Sequence, residues 1–544
     1  MKKVSNLVVL LIVAFVLIYM FMPVLSYGFW GLPVFLMILI VVWAFLDKKL
    51  SLQAAVVQEN VQLKNNLGKA SKYLIIILLA YSTALPIVTT WAFFRSEDYR
   101  NLIGKVEVGE NLSNHMLPIS IEKIRVVDQS LAQLLGDKVL GSQSALGSQV
   151  VLGTFTIQKV NNELYWVAPL LHSGFFKWQK NRIGTNGYVM VNATNERDVK
   201  LVQEVNGKKV YIKYQSESFF FENLERYLYF KGYFTVGLTD YSFEIDDSGI
   251  PYWVVTKFKK TIGFGGEDAT GILVVNAETG QIQEYSIENT PAWVDRIQPA
   301  EFIESQINDW GNYVKGFLNF SNENKLQRTE QVSLVYGDDN NAYWYTGLTS
   351  VGADESTVGF ILVNTRTKKS IWYKQSGATE IAAQNSAKGK VQEKGYTSSL
   401  PIPYNINNIP TYVMTLKDNG GLVKMYAMVA IEDYTIVGVG NTMREALMAY
   451  KNAYNQSGNK INTKSKTEKN KVTSIVTRIN GDIKNGNTFY YFTVKDYKKI
   501  FIGSSQISNE LPITANGDSI EVTFDNDNQE VIDVSSFLNK SIKK

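Results

Sequence analysis

Thr270-Gly-Ile-Leu-Val-Val-Asn276-Ala-Glu-Thr-Gly280-Gln-Ile-Gln283 reads as a strand, a polar turn and the start of a second strand. The same pattern occurs at Gly187-Tyr-Val-Met-Val-Asn192 and Gly359-Phe-Ile-Leu-Val-Asn364, with the asparagines 84 and 88 residues apart. Upstream of each lies an aromatic pair in a strand-like stretch: Tyr165-Trp166, Tyr252-Trp253 and Tyr343-Trp344. The tryptophans are 87 and 91 residues apart. Asn followed by polar residues suits the positive-φ positions of a hairpin turn. After each turn another strand is expected, at 199–202, 282–287 and 370–374.

Helices are expected between these hairpins. Apolar residues recur at helical spacing over 221–230 and 300–320, residues 128–135 supply a helix for the first unit, and Thr290-Pro291 reads as the cap and first turn of a short helix. A fourth, looser unit spans 411–440, with strands at 412–416, 423–431 and 434–439 around Asp418-Asn-Gly-Gly421; Thr442 then caps a helix over 443–454. The repeating element is a helix on an antiparallel sheet. A period near 87 is too long for a thin solenoid, so small α+β domains in tandem are expected at 95–205, 206–290, 291–380 and 381–455.

The strand–turn–strand segment at 270–283, with a neighbouring helix, resembles PepSY modules. The likeness covers 252–287 best and 343–374 less closely; Asn276 stands where that family carries Asp. The resemblance implies a cystatin-like helix-on-sheet fold in a bacterial envelope protein that binds or restrains peptidases or cell-wall enzymes. Residues 157–202 also resemble membrane proteins of low-GC Gram-positive bacteria and their phages.

Residues 4–46 contain no Asp, Glu, Lys or Arg over 43 positions, and residues 73–94 repeat the feature over 22. About 20 apolar residues cross a bilayer, so the first run suffices for two spans and the second for one. Pro23, Gly28, Gly31 and Pro33 break the first run. Spans are expected at 6–22, 30–45 and 73–94, making 1–94 the transmembrane region. The run exceeds the 7–15 residues of a signal-peptide core, which argues for an uncleaved hairpin. Lys2, Lys3 and Lys48, Lys49, Lys64, Lys69 and Lys72 then fall on one side, so the 47–72 loop is expected in the cytoplasm and the large body outside, in a multi-pass protein of the cell membrane.

A net charge of +4 over 544 residues argues against nucleic acid as a partner, and the absence of cysteine excludes disulfides, thiol nucleophiles and thiolate metal sites. The bias towards Asn, Lys, Ile and Tyr points to an AT-rich bacterial or phage genome. Residues 456–471 are lysine-rich and read as a linker. Beyond it, 472–544 holds five short strands, at 472–479, 488–494, 500–502, 519–524 and 531–534, with turns at Asn485-Gly486, Asn516-Gly517-Asp518 and 525–528. Such a pattern suits a small barrel, OB-like or SH3-like.

Catalytic machinery is sought and not found. His115 and His172 are 57 residues apart, with no zinc-site spacing and no G-x-S-x-G elbow. Gly263-Phe-Gly265-Gly266 lacks the Lys-Ser/Thr ending of a phosphate loop and reads as a hairpin connection. Asp246-Asp247, Asp338-Asp339 and Asp525-x-Asp527 each fall at a turn, and the last lacks the remaining calcium-loop ligands. Phe489-Tyr-Tyr-Phe492 puts two rings on each face of a strand, where core packing explains them better than base stacking. Trp293, Asp295, Arg296 and Trp310 are expected to pack at a joint between modules. The expected protein is a non-enzymatic envelope protein without metal or cofactor, binding a protein partner. The alternative is a component of a transfer or secretion apparatus, phage- or mobile-element-encoded, with the barrel as docking module.

Overall fold

A computed structural model describes residues 2–46, 50–54, 61–65, 69–110, 112, 121–143, 146–337, 341–352, 356–457, 469–484, 487–505, 507–525 and 531–542. The architecture is mixed α+β. The chain divides into two compact units, one of residues 1–406 and 410–447, the other of 407–409 and 448–544.

The first unit opens with apolar helices. α1 (Lys2–Phe21) and α2 (Gly31–Leu46) form an antiparallel hairpin, with the Asn6 side-chain amide donating to the Leu46 carbonyl at its open end (3.0 Å). Next come a backbone-paired hairpin (Leu50–Ala54 with Val61–Asn65), α3 (Lys69–Ser82), α4 (Ala84–Thr90) and α5 (Ala92–Asn101). The single span expected over 73–94 is therefore divided. Pro86 has no N–H to give the Ser82 carbonyl, and the break falls at Thr83, which leaves helical geometry (φ −122°, ψ −62°). Two stretches are long and apolar enough to cross a membrane, Val4–Phe21 and Lys72–Thr90; Gly31–Leu46 is shorter. Their side chains lie open: Leu11 is 61 % exposed and Ile77 62 %.

Four helix-and-sheet segments follow. α6 (Gln129–Gly141) is capped by Asp128, whose carboxylate accepts the Leu131 N–H (2.9 Å). Its sheet runs antiparallel from Val150–Leu152 and Thr156–Val160 through Glu163–His172 and Tyr188–Asn192 to Val199–Val202, with α7 (Phe175–Lys180) between the middle strands. α8 (Leu224–Phe230) precedes Gly237–Ile245, Pro251–Ile262, Gly265–Asn276 and Ile282–Ser286. Residues 221 and 222, expected within that helix, belong instead to a separate 3₁₀ turn (Phe220–Glu222), because Asn223 caps α8 after it. α9 (Ala300–Asn312) precedes Leu326–Arg328, Ser333–Tyr336, Ala342–Ser350, Gly359–Asn364 and Ser370–Tyr373. α9 stops short of the expected residue 320, where Gly316 (φ 75°), Asn322 (φ 56°) and Asn324 (φ 59°) turn the chain. α10 (Glu380–Gly389) precedes Thr397–Ser398, Ile402–Ile406, Ile409–Lys417, Val423–Ala430 and Val437–Gly440. α11 (Met443–Gln456) closes the unit and runs past its boundary.

Thr290-Pro291 starts no helix. The carbonyls of Thr290, Pro291 and Val294 instead accept from the Arg366 guanidinium (2.6, 3.1 and 3.1 Å), so the turn serves a distant side chain. Both faces of the strands are core. Ile272 and Val274 pack with Val294 and Ile297, while Leu273 and Val275 pack with Leu224, Leu228 and Trp253.

The second unit holds a barrel of five strands: Lys469–Lys484, Asn487–Val494, Ile500–Ser504, Ser519–Asp525 and Val531–Asn539. They close in the order first, second, third, fifth, fourth, with the third and fifth parallel. Val476, Phe492, Phe501, Val522 and Phe524 fill it. Of the linker expected at 456–471, Gln456 ends α11, residues 469–471 already belong to the first barrel strand, and 458–468 lie outside the described residues, as does the Asn485-Gly486 turn.

Candidate functional site

Each aromatic pair sits at the same place in its sheet. Tyr165, Tyr252 and Tyr343 face Asn192, Asn276 and Asn364 across the ladder, and Trp166, Trp253 and Trp344 face Val191, Val275 and Val363. The three indoles are buried (6–7 % exposed). Each indole N–H donates to a backbone carbonyl: Val127 (2.8 Å), Tyr214 (2.7 Å) and Gln298 (2.9 Å). That carbonyl belongs to a segment pinned by the residue after the asparagine. The N–H groups of Val126 and Val127 both donate to the Ala193 carbonyl, those of Lys213 and Tyr214 to Ala277, and those of Ile297 and Gln298 to Thr365. The knot fixes the chain just before a helix, directly for α6 and α9 and after an intervening loop for α8.

The asparagines do not take the positive φ expected of them. They end strands, and their side-chain oxygens accept from the turn: Thr194 N–H (2.9 Å), Thr279 N–H (2.8 Å) and Thr367 N–H (2.9 Å). The glycine of the motif also has a geometric reason. A Cβ on Gly187, Gly271 or Gly359 would meet the carbonyl oxygen of Val202, Tyr285 or Tyr373 at 2.2, 2.3 or 2.5 Å.

A fourth knot carries none of these marks. Tyr412 faces Val429 and its hydroxyl donates to the Ala378 carbonyl (3.4 Å), while the Ala378 N–H donates to the Ile431 carbonyl (2.7 Å). Ile431 N–H donates to Pro410, as Ala193, Ala277 and Thr365 donate to Leu164, Pro251 and Ala342.

Between the four segments lies a cavity of about 650 Å³. Arg125 and Arg296 line it, each the residue immediately before a pinned pair. Arg125 stacks over Trp166 (5.9 Å), and its backbone N–H donates to the Tyr404 hydroxyl (3.1 Å), but among the described residues its Nε has no hydrogen-bond partner. Burial lowers its pKa, opposed by Tyr404, Tyr336 and Asp128. Arg296 lies 3.6 Å from the Glu244 carboxylate, too far for a hydrogen bond. Burial pushes Glu244 up to about 7, against the pull of Arg296 and the Ser242 hydroxyl. Burial alone would raise Asp128, but Lys417 and the Leu131 N–H outweigh it and hold the carboxyl below its ordinary value. The cavity thus offers guanidinium donors beside apolar indole faces.

The sheet edges are a second surface. Val106–Gly109 lies parallel beside Ser370–Tyr373 and extends the third sheet by one strand. The corresponding edges Val199–Val202 and Ile282–Ser286 carry no further strand among the described residues.

The remaining sequence candidates disperse. His172 is buried at a strand end; its backbone N–H donates to Gln215 Oε1 (2.7 Å), and burial lowers its pKa. His115, Asp338, Asp339 and Asp527 lie outside the described residues. Asp246 accepts the Ser248 and Ile250 N–H groups in a turn (2.9 Å each). Gly263 to Gly266 form the tip of the Pro251–Ile262/Gly265–Asn276 hairpin, and Phe264 packs against Tyr27, Trp30 and Tyr81 (6.0, 5.1 and 5.5 Å). Asp295 accepts from the Lys159 N–H and the Tyr336 hydroxyl, and Trp310 packs on Trp372. Among the described residues no three His, Asp or Glu side chains gather as a metal site. The cavity was not visible to sequence reasoning; the only signal was Arg125-Val-Val beside Arg296-Ile-Gln, too short to align unaided.

No protein-family model matches the chain, and no curated protein is similar to it.

Proposed function

We propose that this chain is a non-enzymatic, multi-pass membrane protein of the bacterial cell envelope whose PepSY-like modules bind an extended segment of a protein partner outside the cell. The observation that carries the reading is the captured strand. Val106–Gly109 pairs in parallel with the edge of the third sheet, with Val106 packed on the core and Glu107 beside Lys369 (3.4 Å), and the matching edges of the first and second sheets stand ready for a partner's strand. Arg125 and Arg296 add charged donors in the cavity for a carboxylate on that partner.

Support for three spans comes from where the helices meet the body. The turn between α1 and α2 gives the Leu25 N–H to the Phe234 carbonyl (2.8 Å) and takes the Tyr229 hydroxyl on the Pro23 carbonyl (2.8 Å). The far end of α4 accepts the Phe264 N–H on Thr90 (2.7 Å). Asn6 and Leu46 close the opposite end of the hairpin, so the basic 47–72 interval leaves from the end remote from those contacts.

A photocrosslinker at Lys200 or Gln283, both exposed on the open edges, should capture one and the same protein in intact cells. Protease outside spheroplasts should digest the body and spare residues 47–72. Absence of capture at both edges, with the protein correctly inserted, refutes the edge reading; a body that resists protease until the membrane is opened inverts the topology.

A second reading rests on the barrel. It is a compact unit with its own core, and its strand order, with the third and fifth strands parallel, supports the OB-like reading. That suits a docking module of a transfer or secretion apparatus. Deleting 472–544 should then abolish assembly while edge capture persists.

A further inference from the structure

The apolar surface of the helices continues onto the folded body at two places. Beside α1, Phe221 and Phe230 pack on Tyr19 and Phe15 (5.9 and 6.3 Å). Phe15 and Tyr19 lie six and two residues before the Phe21 end of the helix, which is about 9 and 3 Å along its axis. These body side chains thus sit level with the last turns of the helix. The surface runs outward through Phe220 to α7 and the turn after it, where Phe176 is 75 % and Ile183 64 % exposed. Lys177, Lys180 and Arg182 are interleaved with these side chains, and Arg182 stacks on Trp178 (4.2 Å) while pairing with Glu222 (2.9 Å).

Beyond α4 the second continuation begins. Trp91 and Phe93 pack on Phe317 (6.3 and 5.7 Å), and next to it Leu318 and Phe320 are 63 % and 77 % exposed. Aromatic side chains held so far open cost solvation in water, and contiguous exposed apolar surface of this kind marks an interaction face. Rings and leucines at the apolar level with Lys and Arg beside them match a helix or loop lying in the headgroup region, 5–10 Å deep.

We infer that the body rests on the bilayer through two aromatic platforms, one carrying Phe176 and Ile183 and the other Leu318 and Phe320, and that the first engages anionic lipid headgroups through Lys177 and Lys180. The inference rests on α1 and α3–α4 crossing the bilayer. It goes beyond that reading, because a body joined to its helices by a short loop need not touch lipid at all.

The chain contains no cysteine, so single cysteines report without background. Phe176→Cys, Phe320→Cys and, in mid-α1, Ile12→Cys are made in the full-length protein, labelled with a polarity-sensitive fluorophore and placed in nanodiscs of phosphatidylglycerol and phosphatidylcholine. Quenching by spin-labelled lipid and by aqueous iodide is then read. The expected result is at least twofold lipid quenching at all three positions, with iodide protection, and a fall of at least half at position 176 in phosphatidylcholine alone. Lipid quenching at position 12 with iodide access at 176 and 320 overturns the platforms while leaving the spans intact. Protection from iodide without lipid quenching assigns the faces to a protein and also overturns them. An unchanged signal at 176 in phosphatidylcholine removes the anionic headgroup. Failure at position 12 takes the spans and the platforms down together.

Discussion

The third and fourth sheets draw the same backbone knot from different residues. The third uses Trp344, Asn364 and Gly359; the fourth has Tyr412, Ala430 and Met425 at those places. The third pins a residue pair, Ile297 and Gln298, ahead of α9, and the fourth pins Ala378 ahead of α10. The sequence marks are therefore one solution to a backbone problem and not its cause. What persists is the carbonyl just beyond the strand that ends at Asn364 or Ala430, held out of the ladder where the incoming segment can donate to it. An indole reaches the next carbonyl directly at 2.9 Å; the phenol of Tyr412 makes a longer contact and takes a second bond from Tyr345 (2.9 Å).

The largest test of that comparison is to remove the rings. Trp344→Ala should cost about 3–5 kcal/mol, as large aromatic truncations in cores do, and Trp166→Ala and Trp253→Ala should match it within the scatter of such changes. Chemical denaturation of the detergent-solubilised protein measures it, and a loss below about 1 kcal/mol at any one would break the equivalence.

Glu244 occupies in the second sheet the position of Gln158 in the first and Val335 in the third. Its folded pKa of about 7 lies above its ordinary 4.5, so the folded state binds the proton more tightly. Its contribution is complete below pH 4.5 and is lost as pH rises through about 7, by roughly 3 kcal/mol at about 1.4 kcal/mol per unit. Glu244→Gln should flatten the stability profile across that window relative to the parent. Parallel profiles would mean that the carboxyl is not held neutral.

Gly271→Ala should cost about 1–3 kcal/mol, because the new methyl meets the Tyr285 carbonyl. In the fourth sheet Met425 already carries a side chain there, so Met425→Gly should bring no gain; a stabilised Met425→Gly would show that the two sheets share the constraint after all. Smallest is Asn276→Ala, about 1 kcal/mol from the lost turn bonds, a cap-like effect read as a shift in denaturation midpoint.

Why the first three sheets were legible is clear from these residues. Trp is uncommon and Gly alone lacks a Cβ, and here each answers a local constraint, a carbonyl within reach or one too close for a methyl. The fourth was legible only as alternating strands, since tyrosine and alanine carry no such mark. The extra strand Val106–Gly109 was out of reach because its partner Ser370–Tyr373 lies more than 250 residues away, and parallel pairing leaves no turn signature between them. Arg125 was unreadable for the same reason; its Tyr404 contact spans 279 residues. The Thr290-Pro291 error was of another kind. The local signal was genuine, but Arg366 bonded the carbonyls that a helix would have used.

Phe264 gives the molecule a lever. The hairpin that ends there is built of two twelve-residue strands, about 40 Å long at 3.3 Å per residue. Its tip is gripped by three rings, Tyr27 and Trp30 from the α1–α2 turn and Tyr81 from α3. Near its other end Trp253 lines the cavity. A displacement of those helices is therefore carried by a stiff ribbon and not a slack loop to the wall of the cavity at Trp253.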